Sequence, residues 1–219
     1  MTDELFIQKA TEEIEAKTWG VTEQFLEVHE IAYADGKPVV ARVDKDKSDG
    51  IVIVYFRVKG HQFYLAVSLE TKPDISIYSV WVENDNCIYF TAYSDSMNFN
   101  QLAALTKLQT TGGWNIGDKR RPGGTIERKN SKIAFEPNPE PDNFEDKLKK
   151  LLDFLEQDRE GVEALVEKAD AYIQVAIEFH NGNGMLGGPH LDRKSIRRMN
   201  VLNLEINFDL YASGNPYKD

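Results

Sequence analysis

Two periodicities alternate along the chain. Between residues 4 and 17, Phe6, Ala10 and Ile14 recur at helical spacing, and Glu12, Glu13 and Glu15 occupy the remaining surface. This pattern predicts an amphipathic helix. The period then falls to two. Runs at 25–33 and 38–43 flank Asp35-Gly36, a hairpin signal because both central positions of such a turn favour positive φ. Runs at 51–58 and 61–69 flank Lys59-Gly60, and 75–84, with Tyr78 and Trp81, makes a fifth strand. Residues 1–84 therefore read as a helix followed by a five-stranded antiparallel meander.

A second part, residues 85–219, begins at Asn84-Asp85-Asn86. A strand is predicted over 87–94, and a short helix over 98–108 carries Leu102, Leu105 and Leu108. The stretch 109–141 is rich in Gly, Pro, Thr and basic residues, with a short strand at 132–136 before Pro137, Pro139 and Pro141 block regular structure. Asp142 with Glu145 three residues on has the form of a capping box, with Asp in place of Ser or Thr. The helix it opens carries Phe144, Leu148, Leu151 and Leu155, and a second helix follows at 159–168. In 170–180, Ile173, Val175, Ile177 and Phe179 alternate with Tyr172, Gln174, Glu178 and His180. In 201–211, Leu202, Leu204, Ile206, Phe208 and Leu210 alternate with Asn203, Glu205, Asn207 and Asp209. Such strands bury one face and wet the other, and a helix near 190–199 lies between them. The class is α+β: an N-terminal helix plus antiparallel β-meander, followed by a ferredoxin-like α/β sandwich with one polar sheet face. No flexible linker marks the boundary, so the two parts pack together or share one sheet.

Composition narrows the function. The 219 residues are 41% apolar and 11% aromatic, enough for real cores. No apolar run is long enough to cross a bilayer. The start Met1-Thr2-Asp3-Glu4 is acidic, unlike a signal peptide, which predicts a cytoplasmic protein. The single cysteine, Cys87, reads as a small buried side chain rather than a nucleophile. A net charge of −10 argues against nucleic-acid binding and suits a basic protein partner.

The second part resembles the bacterial domain of unknown function 4279. The resemblance rests on the opening strand Ile88-Tyr89-Phe90, the leucine-bearing helix, the element Trp114-Asn115-Ile116-Gly117-Asp118, the helix pair at 143–168 and the ending on Asp209-Leu210-Tyr211. It covers about residues 86–212. Phe135 stands where the family pattern leads one to expect tryptophan. The resemblance implies a compact α+β domain and supplies no catalytic residues.

Several motifs suggest chemistry and fail on context. Residues 182–187 spell G-x-G-x-x-G after a strand. Gly188-Pro189 delays the helix that would cradle a pyrophosphate, so a glycine loop is expected and no cofactor. Asp44-Lys45-Asp46-Lys47-Ser48-Asp49-Gly50 lacks the glycine and glutamate positions of a calcium loop. His29, His61, His180 and His190 have no zinc-site spacing, and no metal is expected. Lys119-Arg120-Arg121 with Arg128, Lys129 and Lys132, and Arg193, Lys194, Arg197 and Arg198, form basic islands. Ion pairs to 136–170, with 12 acidic and 5 basic residues, are expected to occupy them.

The candidate binding residues are Trp114, Gly117 and Asp118, and, on the polar sheet face, Glu178, His180, Glu205 and Asp209. The favoured reading is a non-catalytic protein-interaction domain, in its specific form an immunity or antitoxin-like protein bound to a basic toxin. The alternative is an enzyme using His180, Glu178, Glu205 and Asp209 on the polar face, or a small-molecule sensor with its pocket between the two parts near Trp81 and Trp114.

Overall fold

A computed structural model describes residues 2–48, 50–182 and 186–218. Helix α1 (Asp3–Ala16) buries Phe6, Ala10 and Ile14, as its spacing predicts. It ends on Lys17 in the left-handed region, and the buried Glu13 carboxylate folds back to accept from Thr18 and from the Trp19 N–H. The expected strand over 25–33 is not formed. Gly20–Leu26 is a second helix, α2, burying Thr22 and Phe25, positions three apart rather than two. Of that run, Ile31 makes one bridge to Val58 and the Ala32 N–H bonds the Arg57 carbonyl at 2.8 Å. Asp35 and Gly36, both at positive φ, do turn a hairpin, between the two-residue strands β1 (Tyr33–Ala34) and β2 (Lys37–Pro38).

The main sheet of the first part therefore has four strands, antiparallel and in chain order: β3 (Val40–Asp44), β4 (Ile51–Arg57), β5 (Tyr64–Glu70) and β6 (Ser76–Glu83). Val52, Val54, Phe56, Leu65, Val67 and Leu69 pack against Phe6, Ala10, Ile14 and Phe25 from the helices. The opposite face is buried too, through Ile53, Tyr55, Tyr64 and Ala66 with Trp81.

Asn84 alone separates β6 from β7 (Asp85–Ser94), which starts a separate second sheet. Then follow α3 (Phe99–Ala103), β8 (Gly112–Trp114), β9 (Ser131–Phe135), α4 (Phe144–Leu155), α5 (Arg159–Lys168), β10 (Asp170–His180), α6 (Arg193–Val201) and β11 (Ile206–Ser213). The sheet order is β11-β10-β7-β9-β8, antiparallel except that β10 and β11 are parallel. Ile88, Phe90, Ile133, Phe135, Ile173, Val175 and Ile177 meet Leu148, Leu151, Leu152, Leu155 and Leu165 in one core. Among the described residues no helix is long and apolar enough to cross a membrane.

Several boundaries differ from the pattern-based expectation, three of them for a plain local reason. Helix α3 stops at Ala103 rather than 108, because the Thr106 hydroxyl and the Lys107 N–H are captured by the Asp158 carboxylate. Asn143, not Asp142, caps α4, accepting from the Asp146 N–H. The strand expected over 201–211 begins only at Ile206. Leu202 is buried from the end of α6, and Asn203 turns the chain at positive φ.

Asp142 instead ties the two parts together. Its carboxylate is fully buried and accepts from Arg42 at 3.1 Å, Lys47 at 3.0 Å and Lys150 at 2.9 Å. Burial alone would raise its pKa. The hydrogen bonds from Lys150, Lys47 and Arg42 outweigh that and hold it at about 2. Arg42 also pairs with Asp44 and with Glu140. The carboxylate of Asp44 in the would-be calcium loop is thus engaged by cations of its own chain; Asp49 lies outside the described residues.

Candidate functional site

One face of the second sheet carries no helix. Alternation puts Asp85, Cys87, Tyr89 and Tyr93 of β7, Tyr172, Gln174 and Glu178 of β10, Lys132 of β9 and Asp209 of β11 on it. Its centre is aromatic. The Lys132 ammonium lies 4.6 Å from the ring centre of Tyr89, 5.0 Å from that of Trp114 and 5.3 Å from that of Tyr93. Arg128 lies over Trp114 at 3.7 Å, and Tyr93 stacks with Tyr172. These cations are therefore held by ring faces. The carboxylates around them bond to neutral neighbours: Asp209 accepts from Gln174, Glu178 from Ser213, and Glu136 from the Cys87 thiol. Cys87 is half-buried, and burial together with Glu136 pushes its thiol up to about 12, which leaves it a poor nucleophile.

The expected acid–base group does not assemble. Glu205 precedes β11 and offers its carbonyl to the Ile173 N–H, while His180 ends β10. Seven residues of strand separate their levels, roughly 23 Å. Glu178 and Asp209 lie between them with the neutral partners named above.

His180 turns to the first part instead. Its Nε2 is 2.9 Å from Nε2 of His29 and 3.2 Å from the Asn215 carbonyl, and the Asn215 N–H reaches His29 Nε2 at 3.3 Å. The tautomers follow: His29 Nε2 accepts, and His180 Nε2 carries the proton. His61 packs edge-on to His29, and Phe25, Phe63 and Tyr217 complete the cluster. Burial, then the neighbouring imidazoles His180 and His61, lower His29 to about 4; burial lowers His180 as well. Gly214, at φ +91°, leaves room that a Cβ would fill against His180, Phe63 and His29. Among the described residues no group of three or more His, Cys, Asp or Glu is placed to hold a metal ion.

Trp114, Gly117 and Asp118 sit at the opposite edge of the sheet. Asp118 accepts from the Asn115 N–H at 2.7 Å, and Gly117 turns at φ +86°. The loop is thus tied through its own backbone, with Trp114 as its anchor on the open face. Trp81, by contrast, lines a junction cavity of about 310 Å³ with His180 and Tyr217. The two tryptophans do not share a pocket.

The chain matches the family model described as a domain of unknown function (DUF4279) over residues 84–213. It belongs to that family. No curated protein and no solved structure matches. The DUF4279 region contains the whole open face, with Trp114, Gly117, Asp118, Glu178, His180, Glu205 and Asp209. His29 and His61 lie before it. The G-x-G-x-x-G motif falls inside the region too, but Asn183, Gly184 and Met185 lie outside the described residues.

The basic islands divide. Arg198 pairs with Asp153 at 2.6 Å and Glu156 at 2.8 Å, within the acidic stretch. The other island finds local partners, with Lys119 on Glu127 and Arg128 and Lys132 on the rings. Sequence reasoning missed the tyrosines Tyr89, Tyr93 and Tyr172. Their signal was present in the alternation of β7 and β10, where they fill the non-core positions.

Proposed function

We propose that this protein is a non-catalytic binding protein whose partner, a protein with a basic surface, docks on the open face of the second sheet. An immunity or antitoxin-like role, with a basic toxin as partner, is the specific form of this reading. The observation that carries it is the state of charge on that face. Lys132 and Arg128 are capped by aromatic rings, so the groups left to meet a partner are carboxylates, Glu136, Asp170, Glu178 and Asp209, around an aromatic centre. Tyrosine and tryptophan supply contact area at low entropic cost, and acidic groups select a basic surface. We read the scaffold, with β7 to β10 in the order fourth, first, third, second, as a ferredoxin-like sandwich extended by β11.

The test is titration calorimetry with a basic protein encoded beside this chain. Tyr172→Ala and Asp209→Lys should each weaken binding about tenfold or more, and added salt should weaken it further. Unchanged affinity in both variants would remove the face from the reading. A second reading, a small-molecule sensor, draws on the junction cavity beside Trp81, His180 and Tyr217. Under it, a metabolite would raise the melting temperature of the wild type and not of Trp81→Ala.

A further inference from the structure

Strand β11 is an unprotected sheet edge. Residues 207–212 are all exposed, including Phe208 at 36%, Leu210 at 54% and Tyr211 at 58%. Natural edges are blunted by lysine, proline or a bulge, and Ile-Asn-Phe-Asp-Leu-Tyr-Ala-Ser has no lysine or proline and keeps unbroken register with β10. The Ile173 N–H bonds the Glu205 carbonyl, and the Asn181 N–H bonds that of Ser213. In a parallel ladder this turns the backbone groups of odd-numbered β11 residues toward β10. Those of Phe208, Leu210 and Ala212 point outward, without a strand partner among the described residues.

We infer that this edge pairs with the same edge of a second copy of the chain, antiparallel about a two-fold axis at Leu210, forming one continuous ten-stranded sheet. The strand is complementary to itself in that register. Leu210 faces Leu210, Phe208 faces the small Ala212, Asp209 faces the Tyr211 hydroxyl, and Asn207 faces Ser213. The outward groups supply about six hydrogen bonds, two for each opposed bonded pair. Moving the axis to Asp209 would set two carboxylates against each other, which disfavours the neighbouring register. The two-fold axis stands perpendicular to the sheet, so both open faces look the same way. Two chains of net charge −10 repel at long range, so added salt strengthens this pairing.

Sedimentation of the full chain tests it. The expected species has twice the 24.9 kDa chain mass, more populated as salt rises, and Leu210→Lys returns it to monomer with an unchanged circular-dichroism spectrum. Register is read by oxidation in a Cys87→Ser background. Paired residues 210 stand about 5.5 Å apart at Cα, within disulfide reach, so Leu210→Cys should cross-link and Asp209→Cys should not. A monomer at every concentration, a dimer that survives Leu210→Lys, or cross-linking through 209 and not 210 each overturns the inference.

Discussion

The two sheets of this protein solve the same burial problem differently. In the first, β4 and β5 bury both faces, one under α1 and α2 and the other around Tyr55, Tyr64 and Trp81. In the second, helices cover one face and leave the other to tyrosines, Trp114 and carboxylates. Little of β4 and β5 is left exposed, whereas the second sheet keeps a face without a helix. The ion network at Asp142 joins the two parts, and removing it should have the largest effect on stability. Asp142→Ala removes one of the two buried carboxylates that Arg42 and Lys47 share, leaving Asp44 as the one fully buried counter-charge between them. A loss of about 3–5 kcal/mol is expected by chemical denaturation. Asp153→Ala, at the exposed end of its pair with Arg198, should cost less than about 1 kcal/mol. Equal losses would show that the junction is not the special element.

The histidine cluster is the second joint, and it makes the junction sensitive to pH. His29 is 6% exposed and titrates near 4 in the fold, against an ordinary value of 6.5. The unfolded chain therefore binds the extra proton between those values. The stabilisation is fully present above pH 6.5 and is lost as pH falls toward 4, by about 3 kcal/mol at most. Asp142 acts in a separate, lower window, from 3.8 down to about 2. The difference in stability between wild type and His29→Gln, followed from pH 7.5 to 4.5 (about that range), should shrink as pH falls. A pH-independent difference would mean that the imidazole is not the titrating group.

The sequence made the second part legible because its strands sit between one dry and one wet face. That geometry writes a period of two into 170–180, and the helix pair beneath it writes its own stripe into Phe144, Leu148 and Leu151. The first part was harder for the opposite physical reason. With both faces of β4 buried, Ile51 to Phe56 is a continuous apolar run whose sides cannot be told apart, and the run 25–33, read as a strand, starts in the last turn of a short helix. The run 201–211 misled as well: Leu202 and Leu204 serve the core from a helix end and a turn, while Phe208 and Leu210 lie on an open edge. At the site, alternation placed Glu178, His180 and Asp209 on the correct strands. It could not show that His180 faces His29 of the first part, because that contact spans 151 positions. The grip of Trp114 on Arg128 and Lys132 was equally invisible, since it depends on the pairing of β7 with β9 and of β9 with β8.

That grip gives a smaller, sharper test. Trp114→Ala removes the ring that holds both cations and should cost about 1–2 kcal/mol. Combined with Lys132→Met in a double-mutant cycle, the coupling should be about 1 kcal/mol, read from denaturation midpoints. Zero coupling would mean that Lys132 is held by the tyrosines alone, and the charge argument for the open face would then rest on Arg128.

The smallest expected effects lie on the face itself. Asp209 is exposed with one neutral partner, Gln174, and Glu205 is exposed at the strand entrance. Asp209→Ala and Glu205→Ala should each shift stability by no more than about 0.5 kcal/mol, the ordinary range for wet surface positions. A buried acid–base pair or a face covered by another part of the chain would behave otherwise, with losses of about 2 kcal/mol or more on truncation. Thermal denaturation of these two variants beside Asp142→Ala therefore measures the contrast directly: side chains of one charge type, one locking the two parts together and two exposed to solvent.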